Sequence, residues 1–197
     1  MVFCCGQTTV MLKVAALVMF MTFVLHLIGF ASPFWSRRTN SNEGMWEVCQ
    51  NGLCVSSLAS PALIGQVWFQ AVQIVETMAV LTASTAIILV LVVLFSSKLA
   101  RSKSTLVAAT VLSFLTVVFI LMGIVIYATK GSVFFEAVFA TDFAVGFAYI
   151  LITVAMVGWL LAAVLLAVDL DQKLETRRKT LQRADDTAGP VTSTSEP

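Results

Sequence analysis

The chain of 197 residues is 59% hydrophobic and only 12% charged, against roughly 45–50% and about 25% in soluble globular domains. That composition excludes a soluble enzyme, which must solvate its outside, and a disordered chain, which is poor in aliphatic residues. A net charge of +1 offers no basic field for nucleic acid, so the sequence reads as a membrane protein.

Four windows carry no charge: Val14–Ser32, Thr77–Phe95, Thr105–Ala128 and Phe143–Val168, with 19, 19, 24 and 26 residues. A helix of about 20 apolar residues crosses a hydrocarbon core of roughly 30 Å, whereas an open strand would leave its backbone unpaired in lipid. The windows also lack the alternation of barrel strands. Lys and Arg set the orientation. With four spans, nine of them (Lys13, Lys98, Arg101, Lys103, Lys173, Arg177, Arg178, Lys179, Arg183) share one side and three (Arg37, Arg38, Lys130) the other. The richer side is expected to be cytoplasmic.

The predicted order starts with a cytoplasmic N-terminus (1–13), a first span (14–32) and an outer loop with β-strands (33–66). A second span with an extension above the bilayer (67–95), a cytoplasmic loop (96–104) and a third span (105–128) follow. The chain ends with a short outer loop (129–142), a fourth span (143–168) and a cytoplasmic tail (169–197), disordered at its end. The fold class expected is a four-helix membrane bundle carrying a small, disulfide-stapled, extracellular antiparallel sheet. A cleavable signal peptide ending at Gly29-Phe30-Ala31 is the weaker reading of the first span, because its apolar stretch exceeds the usual length.

Within the first outer loop, Cys49-Gln50-Asn51-Gly52-Leu53-Cys54 is the sharpest local feature. Asn-Gly favours a type I′ turn, whose central residues both need positive φ. The turn sets Gln50 opposite Leu53 and Cys49 opposite Cys54, in a non-hydrogen-bonded pair close enough for a disulfide. The oxidising side of the membrane preserves such a bond. Two free thiols or a zinc pair are the alternative, and no further ligand residues lie nearby. Cys4 and Cys5, just before the first span on the reducing side, are palmitoylation candidates or plain thiols.

Polar residues near the spans are few. His26, the only histidine, lies in the outer half of the first span and is expected to bond a neighbouring helix. Gln66, Gln70, Gln73 and Glu76 recur at helical spacing and are expected to form one face under the sheet, with an ion path as the sharper alternative. Thr105, Ala109 and Ser113, and Gly158 with Ala162, suit close helix packing within the bundle. No polar region houses a catalytic domain, and neither an intramembrane charge pair nor a broken helix marks a substrate site, so neither enzyme nor transporter is expected. No phosphate loop, metal-spaced His/Cys cluster or other cofactor motif is present, and no N-glycosylation sequon occurs.

Trp35, followed by Gly44-Met45-Trp46 and then Cys49 and Cys54, resembles the signature of the claudin superfamily, which includes the peripheral myelin, epithelial membrane and lens fibre proteins. The family pattern has Leu where Met45 stands. Phe69-Gln70-Ala71-Val72-Gln73 resembles the claudin Leu-Gln-Ala-Ala-Arg, with Gln73 in place of Arg. The short spacing of the cysteines is closer to the lens fibre and myelin branch. The final Ser195-Glu196-Pro197 differs from the claudin Tyr-Val ending, so a PDZ scaffold is not an expected partner.

The resemblance implies a left-handed bundle under a small sheet, one strand of which comes from the second loop in claudins. Trp35 and Trp46 would then anchor the sheet at the membrane interface. It also implies a plasma-membrane protein of cell contacts, self-associating within or between membranes for adhesion, barrier or spacing. The alternative is an auxiliary subunit of a channel or receptor, partnered by another membrane protein. Arg37 and Arg38 balance Glu43 and Glu47, so a cleft lined by this loop is expected to discriminate poorly between ions by charge.

Overall fold

A computed structural model of the chain describes residues 9–37, 41–59, 66–96, 103–131, 133 and 144–187. Its helices are α1 (Val10–Ala31), α2 (Val67–Phe95), α3 (Lys103–Ile126) and α4 (Phe147–Thr187). Each is long and apolar enough to cross a membrane. α3 continues through a wider π-helical turn, Tyr127–Gly131. Apolar residues surround each helix, as expected where lipid rather than water solvates the outer face. Large side chains such as Phe20, Ile88, Val118 and Leu161 point outward, while the faces turned inward carry small or polar residues such as Ala15, Ala83, Ser113 and Ala162. α1 packs chiefly on α4, α2 on α3, and α3 also on α4.

Small residues set how closely these helices approach. A Cβ on Gly158 of α4 would fall 2.0 Å from Thr22 Cγ2 on α1. Between α2 and α3, the hydroxyls of Thr82 and Thr116 lie 3.0 Å apart, a polar link that also satisfies groups facing away from water. Ala109 and Ser113 are buried, so the spacing of small residues in α3 serves packing within the chain.

At one end of the bundle sits an antiparallel sheet of five short strands: β1 (Ser36–Arg37), β2 (Ser41–Glu43), β3 (Glu47–Gln50), β4 (Leu53–Ser56) and β5 (Ala144–Val145). The order is β4-β3-β2-β1-β5, so the chain segment before α4 closes one side of the sheet. Ser36 pairs with Glu43 and with Val145, and β3 pairs with β4 from Glu47↔Ser56 to Gln50↔Leu53.

The charge-free windows and the helices differ at their edges. α1 starts at Val10 rather than Val14, and Ser32 lies beyond it. Thr129–Gly131 are helical, although expected in the outer loop 129–142. Ala144 and Val145 are sheet residues, although expected in the fourth span 143–168. The reason is common to all: loss of charge marks contact with lipid, whereas a helix ends where its hydrogen-bond ladder ends. Cys4 and Cys5, most of the loops 96–104 and 129–142, and the end of the tail lie outside the described residues.

Candidate functional site

The sheet end of the bundle gathers most of the polar and aromatic side chains that the sequence singles out. Its hairpin forms because Asn51 and Gly52 both take positive φ, at 51° and 84°, the twist that a two-residue loop between antiparallel strands requires. Cys49 and Cys54 face each other with Cα atoms 4.0 Å apart and are joined by a disulfide. Glu47 lies beside these sulfurs. With both sulfurs bonded to each other, neither offers a thiolate to a metal.

Each signature residue has a distinct task. Trp35 is fully buried; its indole Nε1 donates to the Gly29 carbonyl at 2.9 Å, and its ring meets Tyr127 edge-on at 5.0 Å. The expectation that Trp35 anchors the sheet among lipid headgroups is thus corrected: its polar tip finds a protein carbonyl, and the ring fills the junction between sheet and helices. Gly44 is required because a Cβ there would fall 2.3 Å from Pro33 Cα, a backbone atom that cannot yield. Met45 is buried, and its carbonyl accepts from Gln73 Nε2 at 2.8 Å and from Ser57 Oγ at 2.9 Å. Trp46 packs edge-on against Phe30 of α1 at 5.2 Å.

Below this junction lies a feature the sequence reading did not anticipate. His26 of α1 and Glu76 of α2 are both fully buried, with Nε2 and Oε2 3.1 Å apart. His26 does bond a neighbouring helix, as expected, but the partner is a carboxylate. Two ionisable side chains therefore meet between the membrane helices, where the sequence offered no sign of a pair. Fifty positions separate the two residues; His26 stands alone inside its apolar window, and Glu76 reads as the end of a glutamine stripe at the edge of the next. Gly123 of α3 completes the site, since a Cβ there would fall 2.2 Å from Glu76 Oε1. Among the described residues, His26 Nδ1 and Glu76 Oε1 have no hydrogen-bond partner. Two buried groups that depend so heavily on one contact are costly to separate.

The glutamine stripe divides. Gln73 faces the sheet and Glu76 the bundle, but Gln70 is exposed, so the four residues do not form one buried face. Glu43 is buried, with Ser36 Oγ 3.4 Å from its carboxylate, whereas Arg37 and Glu47 are exposed and Arg38 lies outside the described residues. At the opposite end of the bundle, Thr9 caps α1 and donates to Asp169 of α4, a buried carboxylate that also pairs with Lys173 at 2.8 Å. Aliphatic surroundings hid Asp169, whose position just past the fourth window reads as the start of a solvated tail.

No individual curated protein matches the chain. The profile of the PMP-22/EMP/MP20/Claudin family matches residues 8–166, which contain the first three helices, the whole sheet and the apolar part of α4. That match agrees with the four membrane helices and with the tryptophans, glycine and disulfide that tie the sheet to them. This chain belongs to the PMP-22/EMP/MP20/Claudin family of tetraspan membrane proteins.

Proposed function

We propose that this protein acts at cell–cell contacts, in adhesion, barrier formation or membrane spacing, by associating with further copies of itself. In this reading the sheet is extracellular and both termini are cytoplasmic, with 33–66 and 129–142 outside and 1–13, 96–104 and 169–197 inside, in accord with the nine-to-three distribution of basic residues. The protein is a plasma-membrane component with a structural rather than catalytic role.

The observation that carries the reading is the free edge of the sheet. β4 pairs only with β3 among the described strands, and Leu53, Val55 and Leu58 on or beside it are 77%, 51% and 66% exposed. An open strand edge bearing apolar side chains is a template for pairing with another chain. The disulfide and the tryptophan junction hold that edge in a fixed orientation above the bundle, which lowers the entropy cost of association.

Mixed layers of expressing and non-expressing cells test the proposal. Enrichment only where two expressing cells touch supports it, and Leu53→Lys should abolish that enrichment without lowering the amount at the surface. Uniform surface staining would overturn it in favour of an auxiliary subunit of a channel or receptor.

A further inference from the structure

Beyond the charge-free window, α4 remains helical to Thr187. The cluster of Thr9, Asp169 and Lys173 fixes the level at which α1 and α4 leave the bundle. Past Asp169 and Asp171, the stretch from Lys173 to Lys179 carries Lys173, Arg177, Arg178 and Lys179 against Glu175 alone. Glu175 lies 3.8 Å from Lys179, both exposed, and offsets that cation little. Lys173 is half-buried against Asp169, while Arg178 and Lys179 are exposed.

Distances decide what such a run can reach. At about 1.5 Å per residue, Arg178 stands roughly 14 Å beyond Asp169. The headgroup layer beyond the hydrocarbon occupies about 5–7 Å of this. The remaining gap is close to the screening length of about 8 Å at physiological salt, and Arg and Lys side chains extend several ångströms back toward the surface. Arg183, a further turn and more away, lies beyond useful range. Clustered cations directly after a membrane helix attract acidic lipids, each adding to the attraction while it stays within a screening length of the surface.

We propose that Lys173–Lys179 of α4 binds the phosphate groups of acidic lipids in the leaflet from which the helix emerges. Arg178 suits this task because a guanidinium can grip a phosphate through two parallel hydrogen bonds. The site would hold the end of α4 close to the bilayer and bias its tilt. It depends on α4 crossing the membrane and not on any role at cell contacts. The acids that bracket the run, Asp171 before it and Asp185 and Asp186 after it, confine the basic segment to these two turns.

Full-length protein reconstituted in phosphatidylcholine nanodiscs doped with phosphatidylserine, then released into mild detergent, tests this by native mass spectrometry. Such discs are symmetric, so the result does not depend on which side of a cell the tail occupies. Phosphatidylserine should be retained about tenfold over phosphatidylcholine, and Arg177→Gln/Arg178→Gln/Lys179→Gln should erase that preference while thermal unfolding in pure phosphatidylcholine stays unchanged. The exposed single variant Lys179→Gln should lower the preference in part, which provides a readout if the triple variant folds poorly. Equal retention of both lipids by the natural chain, or undiminished preference in both variants, would overturn the proposal. Displacement of the lipid by inorganic phosphate at equal concentration would instead identify a site for free phosphate, and would overturn it too.

Discussion

Removing the His26 imidazole should be among the most damaging single changes in this chain. In His26→Leu the Glu76 carboxylate keeps its burial and loses its one hydrogen-bond partner among the described residues. Leaving a buried polar group without its partner costs about 1–3 kcal/mol, against a total stability of roughly 5–15 kcal/mol for a typical protein. For a chain of this size, about 2–4 °C of melting temperature is lost per kcal/mol, so a fall of about 2–12 °C is expected. Replacing both partners removes the stranded polar group, and His26→Leu/Glu76→Leu should recover most of the loss. Gly123→Ala, which drives a methyl toward Glu76 Oε1, should cost about 1–3 kcal/mol alone and much less in the doubly apolar background. Thermal unfolding of the purified variants in one detergent, read as a double-mutant cycle, measures these terms. A single-variant loss below about 1 kcal/mol, or a double variant as damaged as the sum of the singles, would refute the reasoning that the pair is mutually dependent.

Cys49→Ser should weaken the sheet by about 2 kcal/mol, the value for closing a ring of six residues, and leave Cys54 free to cross-link copies; digestion without reductant checks the natural chain for the linked peptide. Gly158→Ala should cost about 1–3 kcal/mol, because the added carbon meets Thr22, whose hydroxyl already donates to the Val18 carbonyl at 2.8 Å and resists rotation; a melting temperature at or above that of the natural chain would contradict it. A tag after Pro197 should be invisible to antibody on unpermeabilised cells, and a tag within 39–42 visible; the reverse would invert the proposed topology.

Much of the architecture is legible in the sequence because lipid imposes a simple code. Lack of charge over about 20 residues finds a membrane helix with no knowledge of its partners. The Asn51-Gly52 hairpin is equally local, since the turn alone sets Cys49 opposite Cys54. What the chain conceals are relations between elements. His26 and Glu76 meet only because α1 and α2 are brought side by side, and Gly123 reads as an unremarkable apolar position until Glu76 leans on it. Trp35 is ambiguous for the same reason: an indole just past a membrane span suits the lipid interface equally well, and only the Gly29 carbonyl decides that it turns inward. Ala144 and Val145 look like the start of a helix until β1 supplies the partner that draws them into the sheet.

The placement of the buried pair gives it a consequence for the sheet above. α1 packs mainly on α4 and α2 mainly on α3, so the α1–α2 seam has less packing to hold it. Yet both these helices carry the sheet: α1 through Gly29 and Trp35, α2 through Gln73 and the Met45 carbonyl. A shift of one helix against the other would pull these two attachments apart. The contact between His26 and Glu76 crosses that seam a short distance below, and Phe30, which meets both His26 and Trp46, connects it to the sheet. Apolar packing alone would tolerate sliding by a fraction of a turn, since lipid-facing helices gain no hydrophobic energy from a particular register. A directional contact between two otherwise unsatisfied groups does not tolerate it. The pair therefore sets the register of the two helices on which the β4 edge depends for its orientation.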